Sequence, residues 1–299
     1  MWNLSSRSLL GIEKYNYKKQ LGVKMSFTQP FKKTSLPSGL LSALVITFNE
    51  DVNIFRTLDS LEWIPEVLVI DSGSTDRTLE IVSSFRNTRV IYRKFDTFAK
   101  QCNFGLENLT SEWVLSLDAD YILSAKLSSE IIRLMMEVDG DSEGIINGYT
   151  ARFQYCINGK PIRSGVLPPR TILYRRICAS YYDEGHGHRI FVNGKRSTLQ
   201  QSILHDDRKP IGVWLMNQKR YLEIEAKNLI EQRDSQLQAQ DLLRKHTCLA
   251  PFAVFLYCFI LRGGFLDGKE GVLYAFQRFV AEAVLYLNLH TNSSRTQNN

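Results

Sequence analysis

Three short polar clusters carry residue types suited to chemistry on a nucleotide or diphosphate. They are Thr47-Phe48-Asn49-Glu50, Asp71-Ser72-Gly73-Ser74-Thr75-Asp76 and Asp118-Ala119-Asp120. A carboxylate such as Asp71 can accept a base N–H or a ribose hydroxyl, Gly73 permits a tight turn, and Ser, Thr or Asp can cap a following helix. The alternation of Asp118 and Asp120 would place both carboxylates on one side of a strand. There they repel one another unless a hard cation, Mg²⁺ or Mn²⁺, bridges them to a diphosphate. Read singly, the second cluster could be a capped turn and the third a solvated loop. What raises them above that reading is the elements in front of them.

Each cluster follows an apolar run. Leu44–Phe48, Val67–Ile70 and Trp113–Leu117 read as buried strands, and Val90–Tyr92 as another. Between them lie stretches with helical spacing, Val52–Trp63, Thr78–Phe85 and Phe98–Leu109. This β-α-β alternation predicts an α/β fold with a mostly parallel sheet and helices on both faces. In such sheets a ligand sits in the crevice beyond the carboxyl ends of the strands, where all three clusters fall. After a further helix, Leu127–Val138, the pattern changes to strands and turns. Asn158-Gly159 and Asn193-Gly194, each between extended runs, predict two hairpins. Pro210 opens a long polar helix from Ile211 to about Arg233, and two apolar helical stretches follow at 249–262 and 271–289.

The chain has 299 residues, 44% of them apolar and 23% charged, which excludes disorder as its main state. Its net charge of +6 is unevenly placed. Residues 1–39 hold seven basic side chains and one acidic, residues 40–150 nine and eighteen, and residues 151–205 nine and two. The clusters thus sit in an acidic half followed by a basic segment. Without any recognised nucleic-acid-binding motif, the basic balance does not point to nucleic acid. Five scattered cysteines without C-x-x-C spacing fit reduced thiols. No stretch near the start has the apolar core of a signal peptide, so a cytoplasmic location is expected. Residues 1–39 lack periodicity and read as a mobile extension, within which Met25 offers an alternative start.

Val-Ile-Thr-Phe-Asn-Glu, Val-Ile-Asp-Ser-Gly-Ser-Thr-Asp-Arg-Thr and Trp-Val-Leu-Ser-Leu-Asp-Ala-Asp, in this order, resemble the family 2 glycosyltransferases. The closest resemblance is to the subgroup that includes bacterial lipopolysaccharide inner-core β-glucosyltransferases. It spans Leu41 to Asp141 and continues loosely into His205-Asp206-Asp207-Arg208-Lys209-Pro210 and Gly264-Phe265-Leu266-Asp267-Gly268. The resemblance implies a GT-A fold at 40–205, with a nucleotide-sugar half at 40–141, an acceptor half at 142–205 and a helical region at 206–299. It implies an inverting transfer of a hexose from a nucleotide sugar, most simply a UDP-sugar, to a cell-envelope glycan or a lipid-linked acceptor. Thr47, Asn49 and Glu50 would line the nucleotide pocket and Asp71 would bind the base. Asp118 and Asp120 would serve the ribose and a divalent cation, Mg²⁺ or Mn²⁺. Lys100, Gln101 and Asn103 lie where relatives contact the donor, although a plain polar helix face would look the same. Tyr121 stands where relatives often carry an acidic residue.

Inverting transfer needs a base on the acceptor side. Asp183 and Glu184 are the only carboxylates in residues 151–205, and Asp183 is the first choice. His186 and His188 lack the partners of a zinc site and suit diphosphate contact or loop packing. Arg152, Arg163, Arg170, Arg175, Arg176 and Arg189 fit a phosphate-bearing ligand or a solvated basic surface. The aromatic C-terminal helices either pack as a subdomain or lay one face into a membrane interface, and both can hold. Two other readings are a sugar-phosphate nucleotidyltransferase and a non-catalytic nucleotide-sugar-binding protein. The first would need a glycine-rich first loop, and Leu41–Asp51 contains no glycine.

Overall fold

The computed structural model describes residues 36–137, 146–184 and 187–296, with side chains as far as residue 291. The basic extension before Leu36, with Met25, and His186 lie outside the described residues. Strands β1 (Leu41–Thr47), β2 (Glu66–Asp71), β3 (Thr88–Tyr92) and β4 (Trp113–Asp118) alternate with helices α1 (Ile54–Asp59), α2 (Thr78–Ser83) and α3 (Phe98–Glu107). Then come β5 (Tyr121–Ile122), α4 (Ala125–Glu137), β6 (Ile146–Ala151), β7 (Phe153–Ile157), β8 (Lys160–Pro161) and β9 (Arg170–Arg175). Four strands follow, β10 (Ala179–Glu184), β11 (Gly187–Val192), β12 (Lys195–Thr198) and β13 (Ile203–His205). The chain ends in α5 (Ile211–Glu231), α6 (Ala239–His246), α7 (Ala250–Leu256) and α8 (Lys269–Thr296).

The main sheet has seven strands in the order β12-β6-β9-β4-β1-β2-β3. β9 alone runs against the others, pairing antiparallel with β4 and β6. This is a GT-A-like α/β fold with a mixed, mostly parallel sheet. Because β1 and β2 are covered on both faces, their residues are almost continuously buried rather than alternating. One face packs Ile54, Phe55, Leu58, Ile81 and Val82 of α1 and α2 and Leu127, Ile131 and Met135 of α4. The other packs Ala99, Cys102 and Leu106 of α3, with Tyr181 and Val192 from a β10–β11 ribbon. Parallel register puts Thr47 beside Asp71, and Ile46 beside Asp118, so the three clusters emerge at one edge.

Asn158-Gly159 makes the expected hairpin between β7 and β8, with φ of 52° and 80°. Positive φ at both residues suits a two-residue hairpin turn, whose twist matches that of the strands. Asn193-Gly194 does not make a hairpin. β11 pairs with β10, whereas β12 leaves to pair in parallel with β6, so the turn transfers the chain from the ribbon to the main sheet. Gly194 takes the positive φ, 100°, and Asn147 Nδ2 donates to Asn193 O at 2.7 Å. A positive-φ turn fixes a local reversal and leaves the pairing partner to longer-range register.

The helix expected from Val52 to Trp63 shortens to α1 and continues as single turns, Leu61 N to Leu58 O and Ile64 N to Leu61 O. Helix α6 was not foreseen, because its apolar positions are few between charged residues. The stretch expected as one helix at 249–262 starts as α7 and ends in a wider turn, in which Arg262 N reaches Tyr257 O. Helix α8 packs on α5 through Leu285 and Leu289 against Ala226 and Leu229. It is joined to the sheet side by Tyr274, whose ring lies 5.0 Å from that of Tyr155. Among the described residues no helix is long and apolar enough to cross a membrane.

Candidate active site

The first two clusters are laced together by backbone-to-side-chain bonds. Asn49 N donates to Ser74 Oγ at 2.9 Å, Glu50 N to Thr78 Oγ1 at 2.8 Å, and Asp51 N to Asp76 Oδ2 at 3.1 Å. Asn49 adopts φ of 53° and its Oδ1 accepts from Thr75 N at 2.8 Å. Asp71 is buried. Its Oδ1 accepts from Gly73 N and Ser74 N, both at 2.9 Å, and its Oδ2 from Ser74 Oγ at 2.5 Å. Asp71 therefore shapes the loop first, and Thr75 is its exposed residue. Thr47 Oγ1 is buried at the strand end without a hydrogen-bond partner among the described residues.

The third cluster does not leave the sheet as a regular strand. β4 stops at Asp118, and the two carboxylates meet different surroundings. Asp118 is partly open, with Arg170 Nη1 of β9 at 3.9 Å. Burial works against the Arg170 cation, but Tyr121, Asp118 and Asp120 outweigh it and hold its pKa above the ordinary value. Asp120 is turned under the loop, where its Oδ2 meets His205 Nε2 at 2.9 Å and its backbone O accepts from Asp206 N at 3.1 Å. Its Oδ1 is buried and, among the described residues, unpartnered. Burial disfavours charge on His205, yet Asp120 lifts its pKa above that of a free imidazole.

The donor set of Asp118 and Asp120 fits a divalent cation. Both offer hard oxygen atoms, and an orphaned buried carboxylate oxygen calls for a partner. Among the described residues no group of three or more His, Cys, Asp and Glu forms a ready cage. A cation here would take its remaining ligands from a diphosphate or water, as suits Mg²⁺ or Mn²⁺ bound by one or two carboxylates.

Residues 205–209, which the sequence assigned no role, complete the floor. Lys209 Nζ pairs with Glu50 Oε1, and Asn53 Nδ2 donates to Glu50 Oε2 and to Asp207 Oδ1, each at 2.8 Å. Burial pushes the Glu50 carboxyl up to about 7, with the charge of Asp120 adding and Lys209 opposing. Asp206, 2% exposed, accepts from Gly159 N at 2.9 Å and from Arg208 Nε at 2.9 Å, and lies 3.5 Å from Arg56 Nε. Arg56 Nη2 in turn donates to Asp206 O at 2.8 Å. Tyr221 of α5 also faces this region. Its hydroxyl is pushed up by burial and next by the charge of Asp118, with Asp120 adding.

The other expected residues divide. Lys100 is exposed and 3.5 Å from Asp96. Gln101 is buried and positions a loop residue, its Nε2 donating to Ser72 Oγ at 2.8 Å. Asn103 spends both amide atoms on the Tyr181 backbone, donating to O and accepting from N at 2.8 Å. It ties α3 to the β10–β11 ribbon. Asp183 is exposed on that ribbon, with Oδ1 accepting from Ala99 N at 3.3 Å in the first turn of α3. Glu184 pairs with Arg189 at the exposed end. His188 packs between Phe98 and Tyr181, with ring separations of 5.7 and 5.4 Å. Burial lowers its pKa, and Asp118, Arg170 and Asp183 all act on it. Asp183 and Asp118 thus approach the same side chain from two elements.

Residues 42–158 match the family model Glycosyl transferase family 2. The lipopolysaccharide core biosynthesis glycosyltransferase LpsC of Rhizobium meliloti is 25% identical over 81% of this chain and 91% of its own length. An uncharacterised glycosyltransferase of Rickettsia prowazekii is 28% identical over 87% of this chain and 91% of its own. Among solved structures, S. aureus TarS 1–349 in complex with UDP aligns with a TM-score of 0.45 and 17% identity, over 87% of this chain and 92% of that one. The mannosyltransferase PcManGT from Pyrobaculum calidifontis, in complex with GDP-Man and Mn²⁺, aligns with a TM-score of 0.47 and 14% identity over 94% of each chain.

Proposed function

The chain is a glycosyltransferase that carries a family 2 domain over residues 42–158, and from that premise we propose that it transfers a hexose from a UDP-sugar, with inversion, to a lipid-linked or cell-envelope glycan. The observation that carries the reading is the strand-end pair Asp118 and Asp120, with the buried Asp120 Oδ1 unpartnered and Arg170 facing Asp118. A lipopolysaccharide-core acceptor is the finer form of the proposal, supported by the distant likeness to LpsC.

The nucleoside lies against the laced loops of β1 and β2, lined by Thr47, Asn49 and Glu50, with Asp71 fixing the Gly73-Ser74 backbone of the base-side loop. Asp118 and Asp120 would hold Mg²⁺ or Mn²⁺, which would supply positive charge for the departing diphosphate. Arg170 adds a guanidinium on the same side, and charge aimed at a leaving diphosphate favours the transition state over the ground state. Asp183 takes the proton of the acceptor hydroxyl. Its Oδ1 is steadied by Ala99 N, which leaves Oδ2 to take that proton. Glu184, paired with Arg189, is the weaker candidate for that role.

Two variants test this. With Mn²⁺ and a panel of UDP-, GDP- and dTDP-sugars, Asp120→Ala abolishes both transfer and the cation-dependent thermal shift by donor. Asp183→Asn abolishes transfer and keeps that shift. Nucleoside diphosphate release at the native rate in either variant removes that residue from the mechanism.

A further inference from the structure

We propose that the tip joining α7 to α8 is a docking surface for an anionic lipid bilayer. Leu256, Tyr257, Ile260 and Leu261 follow i, i+1, i+4, i+5 spacing and are 44–77% exposed. The opposite side of the same turns faces inward, with Cys258 fully buried and Phe255 and Phe259 packed in the core beneath. After the turn at Gly263, Phe265 and Leu266 are again 54% and 58% exposed. Six large apolar side chains within eleven residues make a patch that a water-facing surface does not need.

The charges around the patch decide its partner. Between Leu249 and Val280 the carboxylates are Asp267 and Glu270 alone. Both are turned inward and satisfied. Asp267 accepts from Arg163 N at 2.7 Å and Ser164 N at 3.3 Å, and Glu270 pairs with Lys160 at 2.8 Å. Arg262, whose Nη2 donates to Gly165 O at 2.9 Å, and Lys269 stay exposed beside the apolar residues, and the Arg163 side chain is 66% exposed with its Nε 3.9 Å from Asp267. An apolar face rimmed by cations and stripped of outward carboxylates matches the interface of a bilayer with acidic headgroups. A second copy of the chain would bring the same cations against themselves, and repulsion between like charges disfavours that occupant.

The patch is mechanically joined to the active site. Tyr274 of α8 packs on Tyr155, and Tyr155 lies 4.9 Å edge-on from His205, the partner of Asp120. A bilayer engaged at the tip would therefore present a lipid-linked acceptor to a donor site fixed on the same body. The surface stands apart from the catalytic reading, because vesicle binding requires neither donor nor transfer.

The test is sedimentation of the full chain with vesicles of phosphatidylcholine alone or with about a third phosphatidylglycerol, at low and high salt. The chain is expected to sediment with the anionic vesicles and to release as salt screens the headgroups. Arg262→Glu is expected to weaken that binding on the order of tenfold, and Leu261→Asp with Phe265→Ser to remove it. Both variants are expected to keep the native thermal shift with nucleotide and cation, which shows that they fold. Equal binding to neutral and anionic vesicles, or no binding, overturns the proposal. So does a stable dimer in the absence of lipid that the Leu261→Asp, Phe265→Ser variant dissolves.

Discussion

Asp206 is the residue whose removal most sharply tests how the floor of the candidate site is held. Its carboxylate is 3% exposed and serves Gly159 N, Arg208 through Nε and Nη2, and the nearby Arg56 Nε. Asp206→Ala takes from Arg56, itself 9% exposed, its strongest counter-charge and leaves the weaker influence of Asp120 and Asp207. Burial already holds Arg56 below the usual arginine range, with Asp206 the largest opposing influence. Breaking such a buried pair costs about 3–5 kcal/mol, and an unsatisfied Gly159 N–H about 1–3 kcal/mol more if taken alone. The two share one carboxylate and do not add, so about 4–5 kcal/mol is expected. Asp206→Asn keeps an acceptor for Gly159 N and should lose about half of that.

Urea denaturation with m held in view gives the measurement, and for a chain this long the larger loss corresponds to a drop of roughly 10 °C or more in melting temperature. Donor affinity should fall with it, because the loosened segment also carries His205, whose Nε2 meets Asp120 Oδ2 at 2.9 Å. A loss below about 1 kcal/mol in Asp206→Ala would refute the buried-pair argument. Intact stability with lost donor binding would mean that the segment contacts ligand directly rather than clasping the floor.

Glu50 and Gly105 offer further checks. The Glu50 carboxyl has a native pKa of about 7 against 4.5 for the free group, so its contribution to stability is complete below pH 4.5 and is lost as the pH rises to about 7. Relative to Glu50→Gln, the native chain should therefore lose about 2–3 kcal/mol across that window; parallel stability curves would contradict the assignment. At Gly105, an added Cβ would press on the buried Leu44 side chain, whose Cγ lies 3.2 Å from that position. Gly105→Ala should cost about 1–3 kcal/mol by chemical denaturation, and an unchanged midpoint would show that α3 can move away from β1.

The strands and the three polar clusters were legible because each is a local pattern. A buried parallel strand is apolar throughout, and the residues at its carboxyl end stand out against it. Asp118, Asp120 and Asp71 were singled out in this way. The resemblance reached 205–210, but the role of 205–209 as a floor was not legible, because Asp120 and His205 are 85 residues apart and their contact follows from the pairing of β5 with β13. Charge alternation in His-Asp-Asp-Arg-Lys looks like a solvated loop until Asn53 and Arg56 close over it. Asn103 shows the reverse limit. Its position on α3 suggested a ligand contact, and only the packed ribbon reveals that both amide atoms are taken by Tyr181.

The turn at Asn193-Gly194 has a consequence for how the chain avoids its own copies. By sending β12 to the outer rim beside β6, it leaves at that rim a strand of four residues, led by Lys195 and Arg196 and carrying a register shift between them. A short, cationic and kinked rim is a poor template for an incoming strand. The hairpin that did not form therefore closes one end of a seven-stranded sheet against edge-to-edge aggregation.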